Sequence, residues 1–156
     1  MPLTNEQRET IVAEAYSWVR AKTPYRGWSA VKGMGADCGQ LIYGIFRETK
    51  HLPIGVELPK DYSLQVAQHQ ASTAFVDVVA SYMREIPEHE AQAADVVVYE
   101  LGLAYAHAGI IVSWPDCIIH AIAHRGVTEA HGKNTPLFRR CRKKFFTLQD
   151  QFTEGR

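Results

Sequence analysis

The sequence carries no excess of either charge: 17 Lys and Arg stand against 17 Asp and Glu. A chain without net charge sets up no long-range field to gather a polyanion, which argues against nucleic acid as a partner. No apolar run approaches the roughly 20 residues that a membrane helix needs, so no membrane span is expected. The opening residues, Met1-Pro2-Leu3-Thr4-Asn5-Glu6-Gln7-Arg8, lack a basic stretch followed by an apolar one. No signal peptide is visible, and the expected place of synthesis and folding is the cytoplasm. Cysteine is scarce: Cys38, Cys117 and Cys141 are an odd set with no C-x-x-C pair, which argues against a disulfide framework. Closely spaced metal ligands are also missing. His120 and His124 are four apart, but in an expected strand and turn rather than on a helix, so no zinc site and no cofactor are expected.

What remains is an ordinary globular composition, with 46% hydrophobic and 22% charged residues in 156. That length fits one domain over residues 1–156 and is enough to bury a core without staples. The basic run Arg139, Arg140, Arg142, Lys143 and Lys144 reads first as a solvated face or strand edge, with anion or nucleic-acid binding second. Thr4 to Gln7 forms a capping box, and Ile11, Val12, Ala15, Trp18 and Val19 follow at helical spacing. This helix should stop before Thr23-Pro24. A glycine-bearing loop, 25–36, leads to a second helix capped by Asp37, with Leu41, Ile42, Ile45 and Phe46 on one face. His51 to Ser63 reads as a loop, and Val66 to Met83 as helix, closed by Ile86-Pro87. Short β-rich runs follow: Val96–Tyr99, Ala108–Ser113, Cys117–Ile122, Gly126–Ala130 and Arg142–Phe146. Helices first and strands after them predict an α+β fold with a mainly antiparallel sheet.

Cys38 stands out because its place is the first turn of the second helix. Helix amides and the partial positive charge behind them lower a thiol pKa and can bind an oxyanion. Gly39 follows and leaves one side of the sulfur uncovered. Cys117 and Cys141, in apolar or strand-like surroundings, read as small buried hydrophobes. Of seven histidines, His107 is singled out because it opens an apolar strand, Ala108 to Val112. If Val112 pairs with Cys117 across the Trp114-Pro115-Asp116 turn, His107 lies opposite Ile122. His120 and His124 are then its diagonal neighbours, and register does not choose between them as the group that orients the imidazole. An enzyme built this way requires the sulfur to be reachable and to meet the ring.

These residues resemble the NlpC/P60 family of papain-like cysteine peptidases, in particular its phage and prophage tail-associated branch. The resemblance rests on Thr23-Pro24-Tyr25 with Lys32 to Cys38, on Asp61-Tyr62-Ser63 with His69, on Ala94 to Tyr99, on His107 to Ile110, and on Ile119-His120-Ala121. It implies a papain-like NlpC/P60 fold with Cys38 as nucleophile, His107 as base and His120 as orienting group. It also implies Tyr25, beside the cysteine, and Gly39 as oxyanion or substrate contacts. The implied substrate is a peptidoglycan stem peptide, cut at γ-D-glutamyl-diaminopimelate through a thioester, with phage tail proteins as partners and action at the cell wall or on the virion. Arg26 and Lys32, near the nucleophile, read first as exposed residues and second as holders of a substrate carboxylate. Two positions depart from the family pattern: Gln40 and Ala94 stand where glycine is usual. Other readings are an acyltransferase or amidase with the same groups, or a non-catalytic tail component.

Overall fold

The computed structural model describes residues 1–52 and 74–154. The expected loop from Pro53 to Ser63, with the Asp61-Tyr62-Ser63 segment, and the expected helix from Val66 to Thr73, with His69, lie outside the described residues. Helix α1, Asn5–Arg20, starts at the capping box: Gln7 N–H donates to Thr4 Oγ1 (3.1 Å), and Thr4 N–H to Gln7 Oε1 (2.8 Å). It buries Ile11, Ala15 and Trp18 completely, as the spacing predicts. A short hairpin, β1 (Ala30–Val31) with β2 (Gly35–Ala36), leads into α2, Cys38–Glu48, whose residues are buried without a break from Cys38 to Phe46. Gly44 makes that burial possible, because a Cβ there would meet the Trp18 ring at 2.7 Å.

Helix α3, Ala74–Ala80, precedes β3, Met83–Ile86. Met83 is therefore a strand residue and not the last turn of a helix as expected. Its pairing with Leu148 in a ladder overrides the helical pattern. The other strands are β4 (Val96–Leu101), β5 (Ala104–Ser113), β6 (Cys117–Ile122), β7 (Gly126–Ala130) and β8 (Lys143–Leu148). They form one antiparallel sheet in the order β3-β8-β4-β5-β6-β7. Helices and a mainly antiparallel sheet make this the expected α+β fold.

The pleat divides the core. Helices α1 and α2 cover one face, with Val96, Val98, Ala108, Ile110, Ile119 and Ala121 beneath them. The other face carries Val97, Tyr99, Ile111, Ile118 and Phe145, closed by Phe138 from the segment 131–142. Three expectations need correction here. His107 does not open β5 but is its fourth residue, because the strand starts at Ala104. Arg142 lies outside β8, which runs on to Leu148. Ser113, not Val112, faces Cys117, since β5 carries an irregularity at Val112. Past it, Ile111 faces Ile118 and Ile110 faces Ile119, the register that the expected pairing implied.

Candidate active site

Asp37 builds the start of α2. Its Oδ1 accepts from Gln40 N–H (2.8 Å) and caps the helix. Its Oδ2 accepts from Trp28 N–H (2.6 Å) and ties the helix to the loop ahead of it. Trp28 adopts φ 59, in the left-handed region, and its amide is held there by that carboxylate. Cys38 follows in the first turn, as predicted.

The thiol environment differs from expectation in two ways. Cys38 is fully buried, with 0% exposure, so Gly39 leaves no open side. The pKa is also raised, to about 12: burial is the larger cause, and the Asp37 carboxylate adds to it. Amides of Ala108, Gly39 and Cys38 itself favour the thiolate but do not outweigh desolvation. Cys117 and Cys141 are half-buried rather than buried, with thiols raised by partial desolvation.

Strand β5 brings the histidine to the same place. Tyr99 faces His107 and Glu100 faces Tyr105, which leaves Ala106 as an extra residue, a bulge immediately before the histidine. Ile111 donates to Asp95 O and accepts from Ala94 N–H on the β4 side. By alternation Ala108 turns its N–H to the opposite edge. The β5–β6 ladder covers Ile110 to Ser113, so that edge is open to α2. The Cys38 thiol fills it, donating to Ala106 O at 3.9 Å. Ala106 and Ala108 flank His107, so sulfur and imidazole share one point on one strand. They take different sides of it: the sulfur lies at the strand edge under the helices, and the ring projects onto the outer face with Tyr99. Among the described residues, the thiol's hydrogen bond goes to the backbone and not to the ring.

The two histidines do meet. His107 Nε2 and His120 Nδ1 are 2.9 Å apart, with the rings at 82°. Both are buried, and desolvation is the first cause of their low pKa values, about 3 for His107 and about 4 for His120. The neighbouring imidazole lowers His107 further, and Arg125 lowers His120. Both rings are thus neutral at ordinary pH, and one proton serves the contact. If His107 Nε2 carries it, Nδ1 is left bare as a base. His124 lies exposed in the β6–β7 turn with φ 70 and takes no part in the pair.

Tyr25 is half-buried, packs against the helix-side core and bridges Ala36. Its hydroxyl is raised to about 12, by burial first and then by Cys38 and Asp37. Lys32 is not free for a substrate carboxylate: it pairs with Glu14 at 2.6 Å and lies over Trp18. Arg26 is exposed and wraps over Gly35. Ala94 has φ 73, which accounts physically for glycine at that position in the family pattern. Gln40 is buried in α2 without breaking the cap.

Sequence reasoning missed Phe138, Tyr82 and the Arg8–Asp95 pair. Phe138 packs on both imidazoles, and buried Tyr82 has its hydroxyl pKa raised by desolvation and by Cys38. The available signal for the first was a single phenylalanine in the mainly polar and basic stretch from His131 to Lys144.

The sequence matches no family profile and no curated protein. Its structure matches solved NlpC/P60 domains. The NlpC/p60 domain of the peptidoglycan hydrolase SagA superposes with TM-score 0.60 and 17% identity, over 91% of this chain and 98% of that one. An NLP/P60-family, lipoprotein-like protein from Staphylococcus aureus gives TM-score 0.62 and 18% identity, over 96% of this chain and 44% of its own. The P60 domain of an antigen from M. avium subspecies paratuberculosis gives 0.55 and 18%, over 92% and 96%. The chain has the fold of these domains.

Proposed function

We propose that the protein is a cysteine hydrolase that cuts a peptide bond in bacterial cell-wall stem peptides. The observation that carries this reading is the 2.9 Å contact of His107 Nε2 with His120 Nδ1, one residue from where the Cys38 thiol meets the strand. The name of one structural neighbour, a peptidoglycan hydrolase, supports the substrate class. In this reaction the thiol proton passes to His107 Nδ1 and the sulfur attacks the carbonyl carbon. The helix amides and the Tyr25 hydroxyl receive the developing oxyanion. The C–N bond breaks as His107 returns the proton to the leaving amine. Water then hydrolyses the thioester, giving a carboxylic acid and restoring the thiol. His120 holds His107 in the tautomer with Nδ1 bare. The γ-D-glutamyl-diaminopimelate bond is the favoured target, and delivery by a phage tail assembly belongs to the same proposal.

Because the resting thiol is buried and neutral, the reaction requires substrate to open the thiol's cover and draw sulfur to ring. That same burial favours a second reading, a binding component that keeps the fold without the chemistry. Purified stem peptides incubated with wild type and with Cys38→Ala separate the two. Hydrolysis lost by at least about a thousandfold in the variant is expected. Equal activity overturns the mechanism, and absence of activity in both favours the binding component. Mass analysis of the fragments identifies the bond, and co-purification with tail proteins tests the setting.

A further inference from the structure

The His107–His120 contact is covered by one side chain that composition and motif did not single out. Phe138 has 0% exposure although its neighbours Leu137, Arg139 and Arg140 are exposed. Its ring lies 5.6 Å from His107 at 25° and 5.5 Å from His120 at 66°, so it stacks over one imidazole and presents an edge to the other. Tyr99 stacks on Phe138 at 3.8 Å and 11° and itself lies 6.2 Å from the His107 ring. The segment that carries it, 131–142, is fastened at both ends. Tyr99 OH donates to Gly132 O (2.8 Å), and Lys143 Nζ donates to Phe138 O (3.3 Å) and Cys141 O (2.9 Å). A long connection with this many anchors and one inward aromatic is built to hold that aromatic in place.

The consequence is electrostatic. A hydrogen bond between two neutral imidazoles competes with water for the same proton. An aromatic cover removes the competitor and strengthens the bond in its low-dielectric surroundings. We propose that Phe138 is a positioning residue: it excludes water from the His107–His120 hydrogen bond and thereby fixes the tautomer and ring orientation of His107. This rests on the catalytic reading of the pair for its functional meaning, but the exclusion of water is testable without activity.

The test uses the whole chain with 15N-labelled histidine. In wild type the shared imidazole proton should exchange slowly with water, and one tautomer of His107 should dominate. Phe138→Ala should speed that exchange at least about tenfold, by letting water reach the bond. It should also raise both imidazole midpoints by about one unit or more. Phe138→Val keeps the segment apolar but cannot span both rings, and about threefold faster exchange is expected from it if the alanine variant does not fold. In the peptide assay either variant should lower kcat with KM little changed and move the acid limb of the pH profile upward. A merely structural residue would change stability and leave tautomer and midpoints alone. Wild-type exchange and midpoints in either folded variant overturn the proposal. Slow exchange in a wild type that cleaves nothing would count against the catalytic reading and leave the shielding intact.

Discussion

At Cys38 the same few atoms pull in opposite directions. The helix start offers amides to a thiolate, while burial and Asp37 disfavour it, and the net effect is a thiol raised to about 12. Alkylation by iodoacetamide near pH 7 should therefore be slower at Cys38 than at half-buried Cys117 or Cys141, as read by peptide mass analysis. Rapid, selective labelling of Cys38 would contradict the burial described. Asp37→Asn should make the thiol more acidic by removing a neighbouring charge. It also leaves one oxygen where two amides, those of Gln40 and Trp28, now have one each. The expected result is faster labelling with a lower melting temperature. Ala94→Gly relieves a left-handed alanine and should stabilise the fold by about 0.5–1 kcal/mol in denaturant titration, once the added chain entropy of glycine is set against the strain. The sequence made the position of Cys38 readable, since an Asp N-cap before an apolar helix is a local signal. The thiol's acidity was not readable, because desolvation comes from segments distant in the chain.

Among the described residues, one buried ion pair joins helix to sheet. Arg8 Nη1 lies 2.9 Å from Asp95 Oδ1 and 2.7 Å from Ala93 O, binding α1 to the entry of β4. Thr147 Oγ1 and Gln92 N–H complete the carboxylate's partners at 2.7 and 2.9 Å. Both charges are nearly inaccessible to water. Removing one partner, as in Arg8→Ala, strands the other and should cost about 3–5 kcal/mol, measured as a fall in denaturant midpoint at constant slope. Arg8→Met with Asp95→Leu should recover much of that loss. Helical spacing made Ile11, Ala15 and Trp18 legible as the buried face; Arg8 falls on the same stripe, but its charge gave no reason to expect it inside, since its partner is on the sheet. The hairpin β5–β6 was legible in register because the turn is marked. The bulge at Ala106 was not, since an alanine in an alternating run carries no mark, and without it the start of β5 was placed too late.

Across the whole molecule the paired imidazoles of His107 and His120 set a pH limit. In the folded chain they stay neutral to about pH 3 and 4, while unfolded histidine protonates near 6.5. Between those limits the unfolded state binds more protons. Their contribution to stability is therefore complete above about pH 6.5 and is lost as pH falls toward 4 and then 3. Melting temperature should be flat from pH 8 to about 6.5 and fall below it, and His107→Phe with His120→Leu should flatten that fall. The sheet order carries a different consequence. Strand β8 follows every other strand in sequence, yet it is inserted between β3 and β4 and pairs with both. Gln7 Nε2 donates to Thr153 O at 2.6 Å, so the first helix is also fastened by residues beyond β8. As a ribosome releases the chain, β4 to β7 can form a meander and Arg8 can already meet Asp95, but β3 gains its strand neighbour only when β8 emerges. Strand β8 is thus the keystone of this sheet: it closes the span between two strands made before it, and the sheet is a partial arch until it arrives.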